Sequence, residues 1–173
     1  MRILVVEDET ALADVVARGL RQAGFAVDVA YDGEDGLLKA EVTPYDVVVL
    51  AETSLTPAQV TVLTDWVNGG GNLIAMKPDN ALAPLLGLSP VGTSLSNGYL
   101  LVNTATGPGN GIVNQTMQFH GTADRYLLNG ASSVATLYSS ASAATANPAV
   151  TVRSVGSGSA AAFTYDLARS VIY

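Results

Sequence analysis

Short apolar runs alternate with amphipathic stretches along the first eighty residues. Arg2–Val6 is a β-branched run of the kind a strand buried on both faces requires. From Thr10 the apolar positions Leu12, Val15, Val16, Gly19 and Leu20 recur at helical spacing up to a stop at Gly24. Ala26–Ala30 reads as a second strand, Asp32-Gly33 as a turn, 34–41 as a short helix and 46–51 as a third strand. This βαβαβ order predicts a parallel sheet. Thr56-Pro57 then supplies an N-cap and first-turn pair for a helix carrying Val60, Leu63 and Val67, stopped by Gly69-Gly70-Gly71. Asn72–Met76 predicts a fourth strand and 80–86 a short helix.

Beyond Gly87 the period shortens. Alternating runs at 99–103, 112–119, 126–128, 134–138, 149–155 and 160–165 are separated by Gly, Asn, Ser and Pro, and the segment 155–159 has the composition of a hairpin turn. The expectation is a mainly antiparallel extension of the sheet or a β-rich subdomain. Gly107-Pro108-Gly109-Asn110-Gly111 lacks the spacing and the Lys-Ser/Thr pair of a phosphate-binding loop, and reads as a mobile loop. No fixed-period repeat is present.

Composition divides the chain near residue 50. Residues 1–50 hold 14 charged side chains, 10 of them acidic, whereas the remaining 123 hold 9. Only Thr10 and Thr43 carry side-chain hydroxyls of the Ser/Thr type before residue 50, against 13 Ser and 13 Thr after it. The first part has the make-up of a charged cytosolic domain and the second that of a low-charge secreted protein. No apolar run approaches the roughly 20 residues of a membrane span, and the acids at Glu7 and Asp8 interrupt any apolar core of a signal peptide. The sequence as it stands therefore reads as cytoplasmic. The net charge of −7 argues against nucleic acid or an anionic membrane as partner. With no cysteine there is neither a disulfide nor a thiolate nucleophile.

Arg2-Ile3-Leu4-Val5-Val6-Glu7-Asp8-Glu9, Gly19-Leu20, Gly24-Phe25, Ala30-Tyr31-Asp32-Gly33, Gly36-Leu37 and Tyr45-Asp46-Val47-Val48-Val49-Leu50 together resemble the first half of a bacterial response-regulator receiver domain. That resemblance implies that Glu7 and Asp8 match the acidic pair holding Mg²⁺, and that the position after Leu50 matches the aspartate phosphorylated by a histidine kinase. Ala51 stands there. A methyl group is neither nucleophile nor ligand, so a histidine kinase is not an expected partner, and a vestigial, weak Mg²⁺ site is the most that Glu7 and Asp8 imply. Glu52 is adjacent, but strand alternation points it away from the Ala51 direction. Lys77-Pro78 is similar to the pair closing a receiver's fifth strand, yet it arrives one βα unit early and reads as a turn lysine.

Residues 46 to 173, through Leu55-Thr56-Pro57, Asp65-Trp66-Val67, Gly69-Gly70-Gly71-Asn72-Leu73-Ile74-Ala75-Met76, Phe119-His120-Gly121-Thr122-Ala123-Asp124-Arg125-Tyr126 and Phe163-Thr164-Tyr165-Asp166, resemble a flavodoxin-like domain related to class I glutamine amidotransferases and found in secreted bacterial proteins. The strand at 46–50 fits both relatives. The expectation is an α/β, flavodoxin-like parallel sheet with a β-rich C-terminal extension, made of a receiver-like half at 1–50 and an amidotransferase-like half at 46–173 folding as one continuous domain. A recombined or engineered chimera is the simplest origin.

His120, Asp124 and Arg125 form the other polar cluster, either a ligand site for a carbohydrate or carboxylate or a hydrogen-bonded loop joining two strands. Three functional readings are open: a non-catalytic chimeric domain, an atypical receiver working without aspartate phosphorylation, and a small-ligand module. The run Ser170-Val171-Ile172-Tyr173 reads as a last strand whose free edge could pair two copies into a homodimer.

Overall fold

Five parallel strands lie side by side at the front of the molecule, and four antiparallel strands continue the same sheet. A computed structural model describes residues 1–105 and 107–172, with the backbone alone at 171 and 172. The strands are β1 (Arg2–Val6), β2 (Ala26–Ala30), β3 (Val47–Leu50), β4 (Asn72–Met76), β5 (Leu88–Ser96), β6 (Tyr99–Val102), β7 (Met117–Gln118), β8 (Thr122–Leu128), β9 (Ser132–Ser140), β10 (Ala143–Val155) and β11 (Gly158–Phe163). The helices are α1 (Thr10–Gln22), α2 (Gly33–Val42), α3 (Pro57–Asn68), α4 (Ala83–Leu86) and α5 (Leu167–Ile172).

The main sheet runs β2-β1-β3-β4-β11-β10-β9-β6-β7, and β5 pairs with β8 in a separate ribbon. β11 pairs parallel to β4, from Ser159 opposite Asn72 to Phe163 opposite Met76, and so takes the fifth place of a 2-1-3-4-5 doubly wound sheet. The α/β fold, with its parallel front and antiparallel extension, is as expected. Of the two forms anticipated for the C-terminal part, the antiparallel extension of the sheet is present as β10, β9, β6 and β7, while β5 and β8 form a two-stranded ribbon packed into the same core through Leu88, Ala123 and Tyr126.

Local chemistry accounts for the parallel units. The Asp32 carboxylate accepts the Asp35 N–H at 2.7 Å and starts α2. Thr56 and Gln59 cap α3 reciprocally, the Gln59 amide oxygen accepting from the Thr56 N–H at 2.8 Å and the Thr56 hydroxyl from the Gln59 N–H at 3.3 Å. Gly24, two residues past the end of α1, turns the chain with a φ of +91° that only glycine adopts freely. The strands alternate faces, so Leu4, Val6, Val48 and Leu50 pack with Val67 of α3 and Leu85 and Leu86 of α4. Ile3, Val5, Val47 and Val49 pack on the opposite side with Leu12 and Ala17 of α1 and Ala168 of α5. A third cluster, with Leu100, Phe119, Leu137 and Tyr165, lies under the antiparallel half. Each such aliphatic side chain contributes about 1.5–3 kcal/mol by leaving water.

Three segments depart from expectation. β5 has no counterpart among the expected strands, because most of its residues are exposed and show no apolar alternation. The run at 112–119 is a strand only at Met117–Gln118, since Ile112 N–H closes a turn on Gly109 O at 3.2 Å. The terminal run is not a strand: Leu167–Ile172 is helical, with Ser170 N–H on Asp166 O at 3.1 Å, and Tyr173 lies outside the described residues. The segment on which an edge-strand homodimer was expected is therefore helical, and the strands at the sheet's two ends are β2 and β7.

Candidate functional site

The carboxyl ends of β1, β3 and β4 open into the crevice where doubly wound sheets usually hold ligands. Strand alternation sorts the residues there onto two sides. Val5, Val49 and Ala51 belong to the cluster facing α1 and α5, and Ala51 is buried beside Met76 and Ala168. Glu7 continues that alternation and is only 5% exposed. Its Oε1 accepts the Glu9 N–H at 3.1 Å. Burial pushes its carboxyl up to about 7, and the neighbouring Asp166 charge adds to the shift. Asp166 in turn accepts the Arg169 N–H at 2.9 Å, while the Arg169 guanidinium reaches Glu9 at 3.0 Å.

Asp8, close enough to Glu7 to raise its carboxyl further, also faces a second group of polar residues. With Glu52, Lys77, Asp79, Asn80 and Asp124 it lines a polar depression of about 470 Å³. The Lys77 ammonium donates to Glu52 Oε1 at 2.7 Å. Lys77 holds a left-handed backbone, φ +43°, at the exit of β4, and its N–H donates to Phe163 O at 2.8 Å. Asp79 accepts the Leu55 N–H at 3.0 Å and the Ala81 N–H at 2.8 Å, so its carboxylate holds two loops together. Burial raises the Asp124 carboxyl above the ordinary range, Lys77 opposing and Glu52 assisting. The Tyr126 hydroxyl donates to Pro78 O or Asn80 Oδ1, each at 3.1 Å, and burial raises it to about 12.

The divalent cation that a receiver resemblance implies does not fit this arrangement. Glu7 is buried and pushed toward its neutral form, Ala51 offers a methyl, and among the described residues no three His, Cys, Asp or Glu side chains converge on one point. Glu52 points away from Ala51, as alternation requires, and its oxygen is paired with Lys77.

The second polar cluster is likewise divided. His120 is exposed, and its backbone N–H donates to Ser170 Oγ at 2.8 Å. Asp124 and Arg125 are consecutive in β8, so their side chains leave opposite faces. The Arg125 Nε is buried with no hydrogen-bond partner among the described residues. Asp124 instead joins Asp8 and Glu52, a grouping invisible in sequence because 116 positions separate Asp8 from Asp124.

No protein-family model matches the chain. It is 62% identical over 50 residues to the transcriptional regulatory protein CutR of Streptomyces coelicolor, covering 29% of this chain and 23% of that protein. It is 31% identical over 93 residues to the transcriptional regulatory protein CusR of Escherichia coli K12, covering 54% and 37% respectively. The N-terminal part is therefore receiver-like, and the chain spans well under half the length of these relatives. Among solved structures, a β-galactosidase from Rahnella sp. R3 superposes with a TM-score of 0.72 at 20% identity, over 97% of this chain and 29% of that one. Cytoplasmic protein STM1381 of Salmonella typhimurium LT2 does so at 0.69 and 13% identity, over 96% and 88%. The carbohydrate deacetylase Agd3 gives 0.68 at 18% identity, over 94% and 29%. These likenesses concern the fold.

Proposed function

We propose that this chain is a non-catalytic domain with a receiver-derived front half that has lost its phosphoacceptor, continued by an amidotransferase-like half joined within β3. The observation carrying this reading is Ala51. It closes β3 where a receiver resemblance implies the phosphorylated aspartate, and it is buried in an apolar cluster with Met76 and Ala168. Phosphoryl transfer needs an in-line nucleophile and charge neutralisation at the same point. A methyl supplies no nucleophile, Glu7 is turned inward, and Lys77 is engaged by Glu52. Origin as a recombined or engineered chimera accords with the composition break near residue 50, and a secreted parent with the low charge of residues 51–173. A continuous nine-stranded sheet is compatible with two such halves sharing one fold without interruption.

Incubation with acetyl phosphate and Mg²⁺, read by intact mass, tests the proposal. The expected spectrum is unchanged. A one-phosphoryl gain that disappears in Glu52→Gln overturns it and supports a receiver phosphorylated at Glu52. Two separate calorimetric unfolding transitions would contradict the joined-sheet origin.

A second reading, an atypical receiver acting through protein contacts without phosphorylation, draws on the 62% identity of the front segment to CutR.

A further inference from the structure

We propose that the outward face of the antiparallel half, between β6, β9 and the segment before β7, is a binding site for a neutral oligosaccharide. This inference does not rest on the receiver reading and lies apart from the crevice at the carboxyl ends of the parallel strands.

β6 and β9 alternate cleanly. Leu100, Val102, Ala135 and Leu137 enter the core, which leaves Tyr99, Leu101, Thr136 and Tyr138 on the opposite face, each half-buried. In the ladder Tyr99 stands directly opposite Tyr138 and Leu101 opposite Thr136. Directly opposed residues share a face with Cβ atoms roughly 5 Å apart, so Tyr99 and Tyr138 start from neighbouring positions on this face. The chain then returns to pair Met117 and Gln118 with β6. Just before that pairing Asn114, Gln115 and Thr116 flank the face, held to the β9–β10 turn by the Thr116 hydroxyl, which donates to Ala141 O at 2.9 Å. The result is an open trough of about 580 Å³ lined by Leu101, Asn114, Gln115, Thr116, Tyr138 and Ala141.

The lining chemistry specifies the ligand class. Among the described residues its lining holds no Asp, Glu, Lys, Arg or His, so none of them would neutralise a phosphate, carboxylate or amine. It combines an aromatic face with two primary amides, each offering both donors and an acceptor. A pyranose ring presents apolar C–H groups on its faces and hydroxyls around its rim, and matches both features together. The trough is shallow and open, a form that leaves room for a chain of sugars to pass.

The test titrates ¹⁵N-labelled full chain with cellohexaose, xylohexaose and maltohexaose, each up to about 10 mM, a range that captures weak affinities. The expected result, with at least one of them, is a saturable set of shifts confined to Leu101, 114–116, Tyr138 and Ala141. Tyr138→Ala should weaken binding about tenfold or more, as loss of a central aromatic does, and Tyr138→Phe should keep it. Should Tyr138→Ala fail to fold, Asn114→Ala in the loop carries the same expectation without touching the sheet. Absence of shifts with all three sugars overturns the proposal. So do shifts around Asp8 and Lys77 in place of the trough, and so does protein-concentration dependence of the trough resonances without sugar, which would mean that a second copy covers this face.

Discussion

Lys77 and Glu52, 25 residues apart, meet at 2.7 Å across the carboxyl ends of β4 and β3. The lysine reaches there from a left-handed backbone conformation, φ +43°. The nearby Asp124 feels both charges. Lys77→Met should therefore raise the Asp124 carboxyl further, because burial and Glu52 would act unopposed. A carboxyl-carbon NMR titration of Asp124 measures this, and an unmoved or lowered midpoint would refute it. Stability should change by less than about 1 kcal/mol, since the glutamate is half exposed to solvent and screened.

Glu7 makes the fold sensitive to pH. Its folded-state carboxyl is raised from 4.5 to about 7, so between those values the folded chain holds a proton that the unfolded chain releases. Its contribution to stability is then fully present below about pH 4.5, declines as pH rises, and is gone above about pH 7. Glu7→Gln keeps an amide oxygen for the Glu9 N–H and cannot ionise. Urea unfolding at pH 5 and pH 8 should show the variant losing less stability over that interval, by up to about 3 kcal/mol. Identical pH profiles for the two proteins would sink the assignment.

Gly158 seals the join between the parallel front and the C-terminal strands. A Cβ there would lie 2.1 Å from Gly71 O and 2.3 Å from Val67 O, both backbone atoms. Gly158→Ala must push β11 from β4 and should lower stability by about 1–3 kcal/mol or more. Gly19→Ala, inside α1 with nothing within 4 Å, should instead stabilise by up to about 1 kcal/mol. Thermal melts of the two variants should move in opposite directions.

The free edge of β2 is guarded by two cations. Arg21 donates to Val27 O and Lys39 to Val29 O, both at 2.8 Å. These carbonyls would otherwise be available to pair with another strand. The double variant Arg21→Ala, Lys39→Ala should self-associate more strongly than the parent in sedimentation velocity over a concentration series. Equal sedimentation behaviour would show that the guards are dispensable.

The parallel units from β1 to β4 are legible in the chain because each is specified within a few residues. Apolar runs mark the strands, the Thr56-Pro57 pair opens α3, and Gly24 with Gly69-Gly70-Gly71 closes two helices. The terminal run misleads because a short apolar stretch fits a strand or a buried helix equally, and the choice depends on whether Leu167 and Ala168 find a surface to cover. β5 escapes detection for the opposite reason: an exposed strand carries no hydrophobic period.

The sequence by itself determined the alternation of strands and helices, the presence of a methyl rather than an acid at Ala51, and the side of the strand to which Glu52 turns, since all three depend on neighbours in the chain and the two-residue period of a strand. Only the tertiary structure decided that β11, formed more than 80 residues after β4, becomes the fifth parallel strand. Only it buried Glu7, drew Asp8 toward Asp124, and set Tyr99 against Tyr138. These are arrangements selected by burial and ladder register once the whole sheet forms, most of them across large sequence separations, and no local pattern encodes them.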